Sequence, residues 1–172
     1  ILSFYYYHKY NFCDRAVILH DSMYICKKID FSNIENFNNY TRLFSFSNKW
    51  YNFDNVNIEP QINQLDNSEE LLNYHHKNKS NMIGCFGCTM VIEHHFLNFI
   101  VKKYNLFNLL NIITTRNHRK GLERTISLIL KKLEEELNFN TITDLYGTIH
   151  KHIDLQKEKK DKVFIYKEFV GR

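Results

Sequence analysis

Apolar residues along this chain fall into two rhythms, short unbroken runs and stripes at helical spacing, and the rhythms divide it into elements. Ala16-Val17-Ile18-Leu19 is a short, partly β-branched run that ends in His20-Asp21-Ser22, and it predicts a buried strand over 16–20. Met23 to Cys26 continues as a second short strand. In "RLFSFSNKWY" the apolar Leu43, Phe44, Phe46 and Trp50 alternate with polar residues, so the first half suits a strand. Residues 82–92, "MIGCFGCTMVI", read as a strand entered through glycines, and "KVFIYKEFV" near the end reads as another. Helical stripes lie between them. Residues 2–12 predict a short aromatic helix, and Asn67 or Ser68 caps a helix whose first turn carries Glu69 and Glu70. "EHHFLNFIVKKY" puts Phe96, Leu97, Ile100, Val101 and Tyr104 on one face. The longest helix is expected over about 119–138, where Leu122, Ile126, Ile129, Leu130, Leu133 and Leu137 recur and Glu134-Glu135-Glu136 takes the polar side. The Asn-rich 27–42 and the Pro60-bearing 52–63 read as connections.

Strands alternating with helices predict an α/β architecture in which part of the sheet is parallel. In such sheets ligands gather beyond the carboxyl ends of the strands. The chain's 172 residues suffice for one domain with a real core, and no internal repeat or linker divides it. A formal charge of +4, spread along the chain, is too mild to argue for a nucleic-acid partner. The densest charge run, Lys157 to Lys162, mixes both signs and reads as a solvated helix end or loop. No stretch approaches the ~18 apolar residues that cross a bilayer. The start lacks a signal-peptide pattern and an initiator Met, so the chain is expected to begin inside a longer protein.

The polar trio after the first strand carries the most chemistry. A buried carboxylate without partners is expensive, so Asp21 marks either a surface turn or a cation site, and the local pattern favours an ordinary β-turn made by Asp21 and Ser22. Cys85 and Cys88 form a CxxC, yet no second pair stands at zinc-ligand spacing and no helix is expected to open after it. They read as buried or half-buried free thiols, which fits a reducing, cytoplasmic compartment. Gly84 and Gly87 let the backbone pass close to another segment or a ligand. The doublets His75-His76 and His94-His95 lack ligand spacing and read as incidental, and Trp50 reads by default as core.

The order of segments, "VILHDSMYICKKIDF", "RLFSF", "GCFGCTMVIEHHFLNFIVKKYNLFNLLN", "TTRNHRKGLERTISLIL", "LYGTIHKH" and "VFIYKEFVGR", resembles small glycosyltransferase-like proteins of the GT-A, nucleotide-diphospho-sugar transferase type found in viral and microbial surface-glycan gene sets. The resemblance covers most of residues 13–172. It implies a partial GT-A mixed sheet flanked by helices, lacking its N-terminal nucleotide-binding βαβ portion, since only 19 residues precede His20. The implied partners are a nucleotide-sugar donor and a glycan or protein acceptor. "HDS" stands where the family places its acidic metal motif. Asp21 would then hold Mn²⁺ or Mg²⁺ on the diphosphate, Ser22 would bond the metal's water or a ribose hydroxyl, and His20 would touch the diphosphate or support its neighbours. One carboxylate in place of two departs from the family pattern.

On the acceptor side, the resemblance implies that Gly84 to Gly87 leave room for sugar. Glu123 would be the base that deprotonates the acceptor hydroxyl in an inverting reaction, or else a surface partner of Arg119 or Arg124. Arg116 and Arg119 would clamp phosphate oxygens or lie exposed, and His150 would add to the metal or be structural. The competing expectation is a non-enzymatic α/β interaction module on a transferase-like scaffold, favoured by the lone carboxylate and the short N-terminal side.

Overall fold

The computed structural model describes residues 1–27, 39–53, 56–139, 144–158 and 165–167. The heart of the fold is one four-residue strand, β6 (Met90–Glu93), in which Met90, Val91 and Ile92 are buried. Two edge strands pair with it, β1 (Arg15–Ile18) and β3 (Tyr40–Arg42), in the order β1-β6-β3. Both pairings are antiparallel: Val17 and Thr41 each stand opposite Val91. Two further pairs stand apart from this sheet. Strand β2 (Met23–Ile25) pairs with β7 (Ile165–Lys167), and β4 (Ser45–Phe46) pairs with β5 (Gly84–Cys85), again antiparallel.

This corrects the expected architecture. Among the described residues no named strand has a parallel neighbour, the only parallel contact being an isolated bridge from Ser45 to Thr148. Helices carry most of the described residues, and among these residues the small sheets do not join. The physical reason lies in strand burial. Parallel sheets need strands covered on both faces. The strands buried throughout here, β3, β4 and β5, are two or three residues long, while β1 is half-exposed along most of its length and β2 is exposed at two of three residues. A GT-A domain rests on an extended, largely parallel Rossmann-type sheet, so the resemblance does not extend to the fold.

The helices follow the sequence stripes closely. Helix α5 (His94–Tyr104) leaves β6 without a loop and buries Phe96, Leu97, Ile100 and Tyr104. It packs against α1 (Leu2–Tyr10), which buries Phe4 and Tyr7 and leaves Leu2, Tyr6 and Tyr10 exposed. Helix α6 (Arg116–Leu137) starts where the Thr115 side chain accepts the His118 N–H, and it buries Leu122, Ile126, Ile129, Leu130 and Leu133. The three asparagines Asn11, Asn105 and Asn138 end α1, α5 and α6 in the left-handed conformation that Asn tolerates. Helix α4 (Ser68–Asn78) begins as expected, but Asn67 does not cap it; its amide donates to the Lys103 carbonyl instead. Residues 52–63, expected as a connection, contain the end of α2 (Asn48–Phe53) and all of α3 (Glu59–Ile62), with Pro60 in the first turn of α3 where its missing N–H costs nothing. Helix α7 (Ile149–Glu158) follows later in the chain. Residues 28–38 of the Asn-rich connection, 159–162 of the charge run and the flanks of the last strand lie outside the described residues.

Two buried cations tie distant segments of the chain together. Arg42 on β3 is paired with Asp144 at 2.8 Å, both nearly shut off from water. Arg124 on α6, 3% exposed, reaches α2: its Nε donates to the Tyr51 carbonyl at 2.7 Å and Nη2 to the Trp50 carbonyl at 2.8 Å. Nη1 donates to the Lys120 carbonyl of its own helix at 2.8 Å. The guanidinium also lies over the Phe46 and Tyr51 rings, 5.2 and 5.7 Å from their centroids. Lysine cannot reproduce that fork. Arg124→Lys is expected to cost about 2–4 kcal/mol, the worth of one or two hydrogen bonds from a charged donor. Urea unfolding would show it as a lower midpoint with an unchanged slope; an unmoved midpoint would mean that water serves the α2 carbonyls equally well.

Candidate functional site

His20, Asp21 and Ser22 form the turn between β1 and β2, closed by the Met23 N–H donating to the His20 carbonyl at 3.0 Å. The turn orders itself: His20 Nδ1 lies 2.6 Å from Asp21 Oδ1 and 2.9 Å from Ser22 Oγ. The Asp21 side chain is 81% exposed. Here the β-turn reading describes what is seen. Asp21 stands in solvent, not over a buried ligand, while the partly exposed His20 side chain lies beside Gly87.

Gly87 belongs to a 3₁₀ turn, Phe86–Cys88, between β5 and β6. Its φ is +59°, and Cys88 beside it is also left-handed at +54°. A β-carbon built on Gly87 would lie 3.5 Å from two His20 side-chain atoms, so space allows a side chain there and the backbone angle does not. The Gly87 N–H donates to Glu123 Oε1 at 2.8 Å. Residues 20, 87 and 123, far apart in sequence, therefore meet in one place. Arg119 and Arg116 stand one and two turns before Glu123 on α6, on the same helical face by their spacing, and both are exposed.

Two other expected residues lie elsewhere in function. Gly84 offers no room for sugar, because the Phe46 ring occupies its face and would sit 1.7 Å from an added β-carbon. His150 stacks on Trp50 with ring centroids 4.7 Å apart, and its buried Nε2 has no hydrogen-bond partner among the described residues. Asp21 and His150 do not form a metal site. Among the described residues no group of three or more His, Cys, Asp or Glu side chains can hold an ion, so the Mn²⁺ or Mg²⁺ expected with the donor has no ligand set there. Trp50, expected in the core, is 44% exposed.

No protein family, curated protein or solved structure matches the chain. Among the described residues no helix is long and apolar enough to cross a membrane.

Sequence reasoning missed a second place. A cavity of about 250 Å³ opens between α2, α3 and α4, walled by Tyr51, Asn52, Val56, Ile58, His75 and Lys79. His75 had read as half of an incidental doublet. The signal that could have found it is its spacing from Leu71, four residues earlier, which puts His75 on the buried face of α4.

The CxxC thiols are free and buried, whereas Cys13 and Cys26 are free and exposed. Burial pushes the Cys85 thiol up to about 12, with Glu123 and Asp144 adding to the rise against Arg42, and it pushes Cys88 up as well, with Cys85 and Glu123 contributing. Only the thiolate is nucleophilic. At pH 8 iodoacetamide is expected to label Cys13 and Cys26 in the native protein and to spare Cys85 and Cys88 until the chain is unfolded. Rapid native labelling of Cys88 would contradict the buried, neutral thiol.

Proposed function

We propose that the chain serves transfer of a glycosyl group from a nucleotide-sugar donor to a hydroxyl of a glycan or protein acceptor, with Glu123 as base and by a route that asks no cation of the described residues. The observation that carries this reading is the meeting of Glu123, Gly87 and His20. These residues come from three distant segments, and the carboxylate is held in one orientation by a backbone N–H. Two successive left-handed residues at that point, one of them not glycine, are backbone strain of the kind that collects at working sites. The reading does not require a GT-A fold, since one chemistry recurs on unrelated scaffolds.

In the inverting form of the reaction the acceptor oxygen attacks the anomeric carbon as the bond to the diphosphate breaks. The hydroxyl proton passes to Glu123, and the electron pair of the broken bond leaves with the diphosphate. Arg119 and Arg116, projecting from the same face of α6, are placed to meet that anion with paired donors. Asp21 takes no part in holding a metal.

A second reading, the non-enzymatic interaction module, draws on two observations: the solvent-facing Asp21, and the exposed ridge Leu2, Tyr6 and Tyr10 at i, i+4 and i+8 on α1. Tyr6 and Tyr10 stack at 6.1 Å, and tyrosine-rich, low-entropy surfaces of this kind suit protein contacts.

Glu123→Gln separates the two. The amide keeps an oxygen for the Gly87 N–H and removes the base. Turnover by the full-length polypeptide is expected to fall on the order of 10²–10⁴-fold, with donor affinity unchanged within about twofold and the melting temperature within about two degrees. Undiminished turnover would remove Glu123 from the chemistry. Absence of transfer from every donor in a nucleotide-sugar panel, with and without Mn²⁺, would leave the interaction module.

A further inference from the structure

A second cavity, of about 530 Å³, opens between α3 and the start of α6. That volume lies within the roughly 300–1,000 Å³ of small-molecule sites. One wall is held firmly: Gln61 of α3 donates from Nε2 to the His118 carbonyl at 2.8 Å and accepts the Thr125 hydroxyl at 2.9 Å. Gly121 permits that close approach, since an added β-carbon would lie 2.3 Å from Gln61 Nε2. Val56, Pro60 and Ile112 give the cavity an apolar side, more than a bare inorganic ion would use. We propose that it binds an organic phosphate, a phosphomonoester on a body the size of a nucleoside or a sugar ring.

The donor inventory and the local charge select that class. Asn57, an exposed wall residue, spends its Oδ1 on the Glu59 N–H at 3.0 Å and keeps its amide nitrogen to donate. His118, also exposed, accepts the Thr114 N–H at Nδ1 at 3.3 Å, so its ring proton sits on Nε2. Lys120 brings a full positive charge, and no Asp or Glu stands among the described residues that wall the cavity. Gln64 and Asn117 add carboxamides, which serve a donor or an acceptor. The positive charge continues outside. Arg116 and Arg119 stand within four residues of Lys120, the first turn of α6 holds no acidic residue, and neither arginine has an ion-pair partner among the described residues. Cations so placed oppose the helix dipole and repel one another, so the stability of α6 does not account for them. An anion held beside them does. The site stands on its own lining and does not rest on the reaction assigned to Glu123.

Calorimetric titration of the full chain with AMP and with glucose 6-phosphate tests the site, against adenosine, glucose and inorganic phosphate. At least one of the two esters is expected to bind saturably, and more tightly than its unphosphorylated counterpart or inorganic phosphate. Which ester binds tells whether the body is a nucleoside or a sugar. Asn57→Asp keeps an oxygen for the Glu59 N–H and replaces the donor with a negative charge. It is expected to weaken binding about tenfold or more, the worth of one charge-assisted hydrogen bond, without lowering the melting temperature. Lys120→Gln is expected to weaken binding by a similar factor, and Glu123→Gln to leave it unchanged. The proposal fails if neither ester binds, or if adenosine, glucose or inorganic phosphate binds as tightly as the ester that contains it. It fails equally if Asn57→Asp and Lys120→Gln both bind as the parent does. Loss of binding in Glu123→Gln would overturn it too, by moving the phosphate to the Gly87 turn.

Discussion

A buried guanidinium, that of Arg124, couples the parts of this fold that carry chemistry. Helix α2 is six residues long, and no basic residue stands in its last turn. The carbonyls near its end, those of Trp50 and Tyr51, need donors from elsewhere. Arg124 supplies them from α6, with two hydrogen bonds across the helix interface and one back to the Lys120 carbonyl. A charge so deeply buried is tolerated only because its donors are met and aromatic rings lie against it. Removing the carbonyls from reach would therefore cost more than the bonds themselves. The short α2 thus has one allowed position, and Tyr51 is carried into the cavity wall as a consequence.

Glu123 and Arg124 are neighbours in sequence, so on a helix they point about 100° apart. One faces the Gly87 turn and the other faces α2. The long helix α6 therefore holds Glu123 and the buried Arg124 in a fixed mutual relation, and its own position is set by the apolar stripe from Leu122 to Leu133. The order of dependence runs from that stripe, through the buried cation, to the placement of the functional side chains.

The longer helices α1, α4, α5 and α6 were legible because their signal is local, whereas α2, α3 and α7 were not read as helices. The stripe of α6 and the buried face of α5 were readable residue by residue, as were the boundaries of α4. The sheet was not, because strands of two to four residues carry no statement of which neighbour they choose. Alternation of strands and helices favoured a parallel sheet, yet strand β6 received two antiparallel partners from segments that precede it in the chain. Among the site residues, Glu123 and Gly87 were legible as types, and the contact between them was not, since it depends on two left-handed residues that only the folded backbone reveals. Gly84 was misread for a related reason: a glycine advertises space, but the sequence does not say that Phe46 fills it. Asp21 shows how an ordinary turn pair can be mistaken for a metal motif when the family pattern is applied to a single carboxylate.

The Gly87-Cys88 turn is where local preference and the site conflict, and the conflict is instructive. A left-handed conformation at a non-glycine residue costs roughly 1–2 kcal/mol, and Cys88 bears it. What offsets the cost is close at hand. The Thr89 N–H and its hydroxyl both donate to the Phe86 carbonyl, at 3.1 and 2.8 Å, and the Leu43 N–H donates to the Thr89 carbonyl at 2.9 Å. The register of β6 then holds the far end of the turn. With both ends pinned, the backbone between them must reverse within three residues, and doing so aims the Gly87 N–H at the Glu123 carboxylate. A relaxed turn could satisfy β5 and β6 equally well but would not present that donor. The strain is therefore better explained by the carboxylate it orients than by the strands it joins.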